Sequence, residues 1–410
     1  MKTGSARIDL TPAEGSEFYL LGYRSPVRNQ PAKGIHDHIY ANALLFEEAG
    51  EQVFLWSADL LELPDVTADE MKKKLEERYA LKRNNIILSV LHDHSSIRDF
   101  HPDWPYGKYS QSYHDFLVNS VCDAYEQCRE NLRESTCYAG KDIVTGFYSN
   151  RNHKGQLADN EVIRIEFRDQ NNIPFAGIIN WAVHSTVLGA DNAYLTGDLA
   201  GNTRRKLSVK FGYEPLFLNG AAGDCSNRND RQGNDFRELE RESSGLAEKI
   251  GKIPADHPVR TRKPETSFFH YVFDTDMNAY DRYLKKTIEG IQNGSIKPEG
   301  NFPPQALIDK CQEQLQTTSH HEDVEAGVVD LGDLRFYVFP GELGSVFGKE
   351  LKASTTKTAL VAGYSNGFHY YYLCKEDYGK SFETIGNPVP PGTPEKIVEK
   401  MMETGKKMTS

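Results

Sequence analysis

Two histidines one residue apart, His92 and His94, close an apolar run from Ile86 to Leu91 that only Ser89 interrupts. Neutral imidazole is a good zinc ligand. Residues i and i+2 of a strand share a face, so an extended chain here aims both rings into one pocket at the strand's end. The same theme, an apolar run that stops at a polar residue, recurs four times. Trp181 to Val183 stop at His184. Leu216 to Leu218 run into the small-residue turn Gly220–Gly223, which lets backbone approach a ligand closely and presents Asp224 and Ser226. Phe336 to Phe339 precede Pro340-Gly341-Glu342. Leu360 to Ala362 lead to Gly363 and Asn366, and then to the aromatic stretch Phe368 to Tyr372. Two histidines and a carboxylate hold zinc while leaving a position open for water. Plainer readings stand beside each: His184 as a hydrogen-bonded core residue, Glu342 favouring the N-terminus of a helix near Leu343, the glycines as a tight turn, the tyrosines as core.

The elements that must position these groups can be read in chain order. The uninterrupted apolar run at 86–91 reads as a strand buried on both faces. Residues 5–10 read as an opening strand, and Tyr40–Glu47 with Gln52–Ala58 as strands paired across Ala49-Gly50. Further strands are predicted at 136–146, 162–168, 175–182, 216–218, 267–273, 325–330 and 334–339. Helices are predicted at 64–79 (capped by Asp65 or Thr67), 113–132, 198–210, 236–250, 277–291, 304–317 and 343–353. Between them, the loop at 97–113 is dense in aromatics: Phe100, Trp104, Tyr106, Tyr109 and Tyr113. There is no internal repeat of sequence and no low-complexity linker, the polar stretch Asn293–Gly300 being too short. The expectation is one domain over residues 1–410, of α/β class with mixed β-sheets flanked by helices.

Composition excludes several function classes. A net charge of −11 over 410 residues opposes nucleic acid or an anionic membrane as partner. No stretch is long enough to span a bilayer, and no apolar segment follows Met1. Six cysteines without Cys-x-x-Cys spacing suit free thiols in a reducing compartment, so a cytoplasmic protein is expected. An acidic chain of this size is compatible with a homo-oligomer on base rates alone. No Gly-x-Ser-x-Gly elbow and no phosphate loop is present.

Taken together, the polar strand ends resemble the neutral/alkaline non-lysosomal ceramidases and their bacterial relatives, along nearly the whole chain. Arg7–Pro12 resembles the opening strand of that family, and Gly34-Ile35-His36 its early Gly-Ile-His segment. Ser57-Ala58-Asp59 resembles its Ser-x-Asp, and His92-Asp93-His94-Ser95 its first histidine segment. Asn150-Arg151, Asn180–His184, Gly223–Ser226, Pro340–Glu342 and Asn366–Tyr378 match later segments in order. The resemblance implies a ceramidase-like catalytic domain acting as a zinc-dependent amidase. Its zinc ligands would be His92, His184, Glu342 and Tyr371, the tyrosine being placed by the following Glu376-Asp377-Tyr378. His94, Arg151 and Ser226 would line the substrate position.

The chemistry of those residues agrees with that implication. Amide hydrolysis gains from a Lewis acid that activates water, with His94 as proton shuttle or oxyanion donor and Arg151 or Tyr371 as charge stabilisers. A nucleophilic Ser226 would then be unnecessary. Three departures point away from membrane ceramide: Asp93 and Ser96 in the histidine segment, Cys225 and Asn227-Arg228 in the serine segment, and the expected lack of a secretion leader and a C-terminal immunoglobulin-like domain. The expected substrate is a smaller, more polar amide, with Arg228 and the aromatic loop shaping its site. Rival readings are a zinc esterase or lactonase on the same site, a metal-dependent amidohydrolase barrel, which needs an eight-fold strand–helix alternation, and a non-catalytic zinc- or ligand-binding protein.

Overall fold

One local order recurs three times along the chain: a strand, an antiparallel hairpin, a helix, and a strand parallel to the hairpin's second arm. In the computed structural model, which describes residues 1–298 and 303–408, the first unit comprises Lys2–Asp9, the hairpin Tyr40–Glu48/Glu51–Ala58, the helix Asp65–Tyr79 and the strand Ile86–Val90. The second comprises Thr136–Ile143, Glu161–Arg168/Pro174–Trp181, Asp198–Phe211 and Leu216–Asn219. The third comprises Glu265–Asp274, His321–Leu331/Leu334–Val338, Ser345–Ala353 and Thr358–Ala362. In each unit the last strand pairs in parallel with the hairpin's second arm, and the other pairings are antiparallel. A further helix follows each unit: Gln111–Glu130, Phe236–Ile250 and Thr393–Lys407. The third unit also carries an inserted helix pair, Met277–Gln292 and Pro304–Gln314, between its first two strands.

Local chemistry accounts for the pattern. Ala49 and Gly50, at φ +52° and +77°, make the tight turn whose twist suits a hairpin. A parallel neighbour cannot be reached by a tight turn and needs a crossover, here a helix in every unit. The inner faces of the three sheets meet in one core that draws Phe46, Leu55 and Ile87 from the first, Ile165, Ile178 and Leu218 from the second, and Val329, Phe336 and Leu360 from the third. Buried polar groups tie the units together: Asn180 donates to the carbonyls of Leu218 (2.9 Å) and Val361 (2.8 Å), and Asn366 accepts from the Leu88 amide (2.9 Å).

The two parallel strands of each unit end on the same side, where open α/β sheets place their ligands. The residues just beyond the hairpin arms are Asp59, His184 and Glu342, and those beyond the crossover strands are His92, Asp224 and Tyr364. The three sheets have five, five and four strands in mixed order, which rules out the eight-stranded parallel barrel.

Several expected boundaries shift. Asp65 does not cap its helix, where Pro64 occupies the cap position; its carboxylate instead accepts the Phe368 amide at 2.9 Å. The helix expected from Leu343 starts at Ser345, because Glu342 and Leu343 stay extended and pair with Tyr371 and Tyr372. The helix at Pro304 ends at Gln314. The helix Thr393–Lys407, which the sequence reading does not include, buries an apolar face of Ile397, Val398 and Met401. The threefold recurrence lies in topology, which divergent sequences share without a readable repeat. The end of the polar stretch Asn293–Gly300 lies outside the described residues.

Candidate metal centre

His92 and His94 converge, but not through strand alternation. The strand stops at Val90, and His92 takes a left-handed backbone at φ +55°. Asp93 then bridges in parallel to Ser185, and the His94 amide donates to the Ser185 carbonyl at 3.3 Å. This crossing of chains, not a pleat, brings His94 beside His184. The ring centroids of His92 lie 4.8 Å from those of His94 and 4.5 Å from those of His184. One ring nitrogen from each of the three lies within 4.8 Å of the other two. Gly22 permits the approach: a Cβ there would sit 2.5 Å from the His94 Cα.

Each imidazole is oriented the same way. Nδ1 of His92 donates to the Leu61 carbonyl (3.0 Å), that of His94 to Gly22 (2.8 Å), and that of His184 to Cys225 (3.1 Å). A carbonyl only accepts, so Nδ1 holds the proton and each Nε2 keeps its lone pair. All three Nε2 atoms are buried and without a hydrogen-bond partner. Burial, as the largest cause, pushes all three well below the usual histidine range, so the rings are neutral. Glu342 faces two of them, its Oε2 lying 3.0 Å from His184 Nε2 and 3.4 Å from His92 Nε2. Electron pairs aimed at one another in a buried place repel unless a cation lies among them. The donor set therefore fits a metal ion: two imidazoles and a carboxylate, with His94 as a third imidazole within reach.

Burial raises the Glu342 carboxyl, while the charge of Arg151 and a hydrogen bond from Tyr371 oppose it. Tyr371 pairs with Glu342 in register, and the Arg151 guanidinium stands 5.6 Å above its ring. Burial and then Glu342 push the Tyr371 phenol up. A second tyrosine competes for the same place. Tyr364 donates to Glu342 Oε2 at 3.3 Å, and its ring lies tilted with its centroid 4.5 Å from that of His92. Arg151 is held by Glu383 (2.8 Å) and donates to the Gly223 carbonyl (2.7 Å). Its loop is fixed by Asn150, which donates to Asp224 (2.7 Å) and accepts from the amides of Asn152 and His153. Ser226 is bridged to His184 through backbone, and its hydroxyl accepts the Arg228 amide at 3.2 Å.

Other matched segments serve as supports. Asp59 forms a fully buried two-point ion pair with Arg204, both contacts at 2.6 Å. His36 stacks on Phe236, away from the histidine cluster. The aromatic loop at 97–113 does not line the cluster as expected. Phe100 is sealed in the core, and the Tyr113 hydroxyl donates to the Leu10 carbonyl. The rings against the histidines are Tyr23, Tyr364 and Phe368. Sequence reasoning missed Tyr364 and Glu383: Glu383 sits in Ser381–Thr384, which has no period or motif, and Tyr364 follows a strand end like the others and so carried the same signal.

Fold and donor cluster together define a mixed α/β protein with a candidate metal centre at its parallel strand ends. A family model described as "Neutral/alkaline non-lysosomal ceramidase, N-terminal" matches residues 1–211, and the chain belongs to that family. It is 25% identical over 248 residues to neutral ceramidase 2 of Arabidopsis thaliana, covering 55% of this chain and 31% of that protein. It is 26% identical over 221 residues to neutral ceramidase B of Dictyostelium discoideum, covering 48% and 30%. The matches thus span less than a third of those relatives' lengths. The solved neutral ceramidase of Pseudomonas aeruginosa superposes with a TM-score of 0.75 at 16% identity, over 99% of this chain and 74% of that one, which shows the shared fold.

Proposed function

We propose that this protein is a zinc-dependent hydrolase that cleaves an N-acyl amide bond with metal-activated water. The observation that carries the reading is the set of three neutral imidazoles whose buried Nε2 atoms have no hydrogen-bond partner and converge beside Glu342. His92, His184, Glu342 and Tyr371 would hold the ion, an N/O set that suits zinc. When bound, zinc supplies the Lewis acidity that lowers the pKa of water and polarises a carbonyl. His94, whose Nδ1 proton is fixed on Gly22, keeps Nε2 free to take a proton from water and return it to the leaving amine. Arg151 and Tyr371 would stabilise charge on the amide oxygen. Ser226 lines the substrate position as a polar neighbour.

A smaller, more polar substrate than membrane ceramide is supported by the charged residues around the cluster, Arg151, Arg228 and Lys310. Among the described residues no helix is long and apolar enough to cross a membrane. All six cysteines are free, five of them buried, which supports our assignment to the cytoplasm.

The test is elemental analysis of the wild type and His184→Ala, beside hydrolysis of short and long N-acyl amides and the matching esters. About one zinc per chain, lost in the variant together with amide cleavage, is the expected result. No zinc in the wild type refutes the metallohydrolase. Turnover of esters alone assigns an esterase, and preference for long-chain ceramide refutes the polar substrate.

A further inference from the structure

The loop 381–388 is irregular backbone, yet nearly all of it is closed to solvent. Loops run over surfaces because buried carbonyls and amides need partners, so this one requires an outer cover. The segment inserted after Asp274 supplies it. Every second carbonyl of the loop accepts from a side chain of that segment. Phe382 takes the Lys310 ammonium (2.6 Å), Thr384 the Tyr283 hydroxyl (3.3 Å), Gly386 the Tyr280 hydroxyl (2.9 Å) and Pro388 the Thr275 hydroxyl (2.7 Å). Ile385 enters the small core of the inserted helix pair, beside Tyr280, Leu284, Leu307 and Cys311.

Two residues between these carbonyls reach the metal centre's own groups. Glu383 meets Arg151 Nε at 2.8 Å, both side chains being buried. Asn387 donates to the Tyr371 carbonyl at 2.7 Å and to the Glu383 carbonyl at 3.3 Å. One loop thus touches both groups assigned above to charge on the amide oxygen. Gly223 accepts from Arg151 Nη2 at 2.7 Å, so the rigid guanidinium plane is held at two of its three nitrogens.

We propose that Glu383 is a positioning residue that aims Arg151 at the amide oxygen, and that the inserted helix pair is the clamp holding its loop in place. A fully buried ion pair adds little net stability over apolar side chains of its size, so what Glu383 contributes is direction. A donor misplaced by about 1 Å costs about 100-fold in rate. This inference rests on the amide-hydrolase reading above and deepens it, naming the residue that sets its charge stabiliser.

The experiment is a double-mutant cycle on the zinc-loaded protein with two readouts. One is kcat and KM on the best N-acyl amide of the panel above. The other is the affinity, by calorimetry, for butyl methylphosphonate, a tetrahedral anion that needs no turnover. Glu383→Gln is expected to lower kcat and phosphonate affinity about 10- to 100-fold, with KM and zinc content little changed. Added to Arg151→Met, the same substitution is expected to change neither readout, since a residue that acts through Arg151 has nothing left to aim. Unchanged kcat and affinity in Glu383→Gln, loss of its zinc, or a further fall in the Arg151→Met background overturns the assignment. If the wild type cleaves no amide, the amidase reading fails and the phosphonate cycle alone decides: coupling to Arg151 upholds the positioning role, and its absence overturns it. Tyr280→Phe reaches the loop from its outer side, through Gly386 only among its printed backbone partners, and carries the test should Glu383→Gln not fold. It is expected to lower kcat by up to about 10-fold, the worth of one hydrogen bond, at constant KM; an unchanged kcat overturns the clamp.

Discussion

Replacing Arg151 by methionine should destabilise the protein through Glu383 more than through any other contact. The two side chains are 5% and 1% exposed and 2.8 Å apart. Removing one partner of a buried ion pair leaves the other as an uncompensated charge, at a cost of about 3–5 kcal/mol. The Gly223 carbonyl also loses its donor at 2.7 Å, worth about 1 kcal/mol. For a chain of this length about 4 kcal/mol corresponds to a fall in Tm of about 5 °C.

The loss should depend on pH. In the wild type burial raises the Glu383 carboxyl, but Arg151 and the hydrogen bonds around it outweigh that and hold it below its ordinary 4.5. Glu383 therefore contributes stability that is present above pH 4.5 and lost as pH falls through the folded value. Without Arg151, burial dominates and the folded value rises above 4.5, so stability falls as pH rises from there. The difference between variant and wild type should then be small near pH 4 and full at pH 7. Urea unfolding of the metal-free proteins at both pH values measures it, and Arg151→Met/Glu383→Gln should recover most of the loss at pH 7. A deficit under about 1 kcal/mol at pH 7, or one equal at both pH values, would show that the pair does not carry this energy.

Gly223→Ala would place a Cβ 2.5 Å from the Glu342 carbonyl oxygen; the expected result is zinc affinity reduced by at least about tenfold, since a ligand displaced by a few tenths of an ångström loses its geometry, and unchanged affinity by competition with a chelator would contradict the assignment of Glu342. Glu242 is sealed beside Asn227, and burial raises its carboxyl to about 8. The folded chain thus holds a proton that the unfolded chain releases from 4.5 upward, and stability falls by about 1.4 kcal/mol per pH unit between 4.5 and 8. Glu242→Gln should remove that slope, raising Tm at pH 8 and leaving it unaltered near pH 4; a Tm gain that is the same at both pH values would contradict it. In Gly22→Ala, strain at φ +116° and a Cβ 2.5 Å from the His94 Cα should lower kcat with His94 displaced, while zinc content, which does not need His94 in the proposed ligand set, should persist; loss of zinc would make His94 a ligand.

The residues of the centre were legible in the chain because each follows an apolar strand, and a strand end is where a buried segment meets a polar demand. His92, His184 and Glu342 all stand at such ends, and the hairpin at Ala49-Gly50 is set by its turn chemistry alone. Alternation, hydrophobic runs and tight turns are local, so sequence determined them. What brings the ends together is not local. The shared core of the three sheets sets their mutual angle, and only that places a carboxylate from the third within 3.4 Å of a histidine from the first and another from the second. The left-handed turn at His92 that corrects the simple strand picture is imposed by the bridge from Asp93 to Ser185, a partner 92 residues away. Glu383 owes its place beside Arg151 to the same cause. Its neighbours in sequence say nothing of the centre, and its neighbours in space are supplied by chain that folds against it from elsewhere.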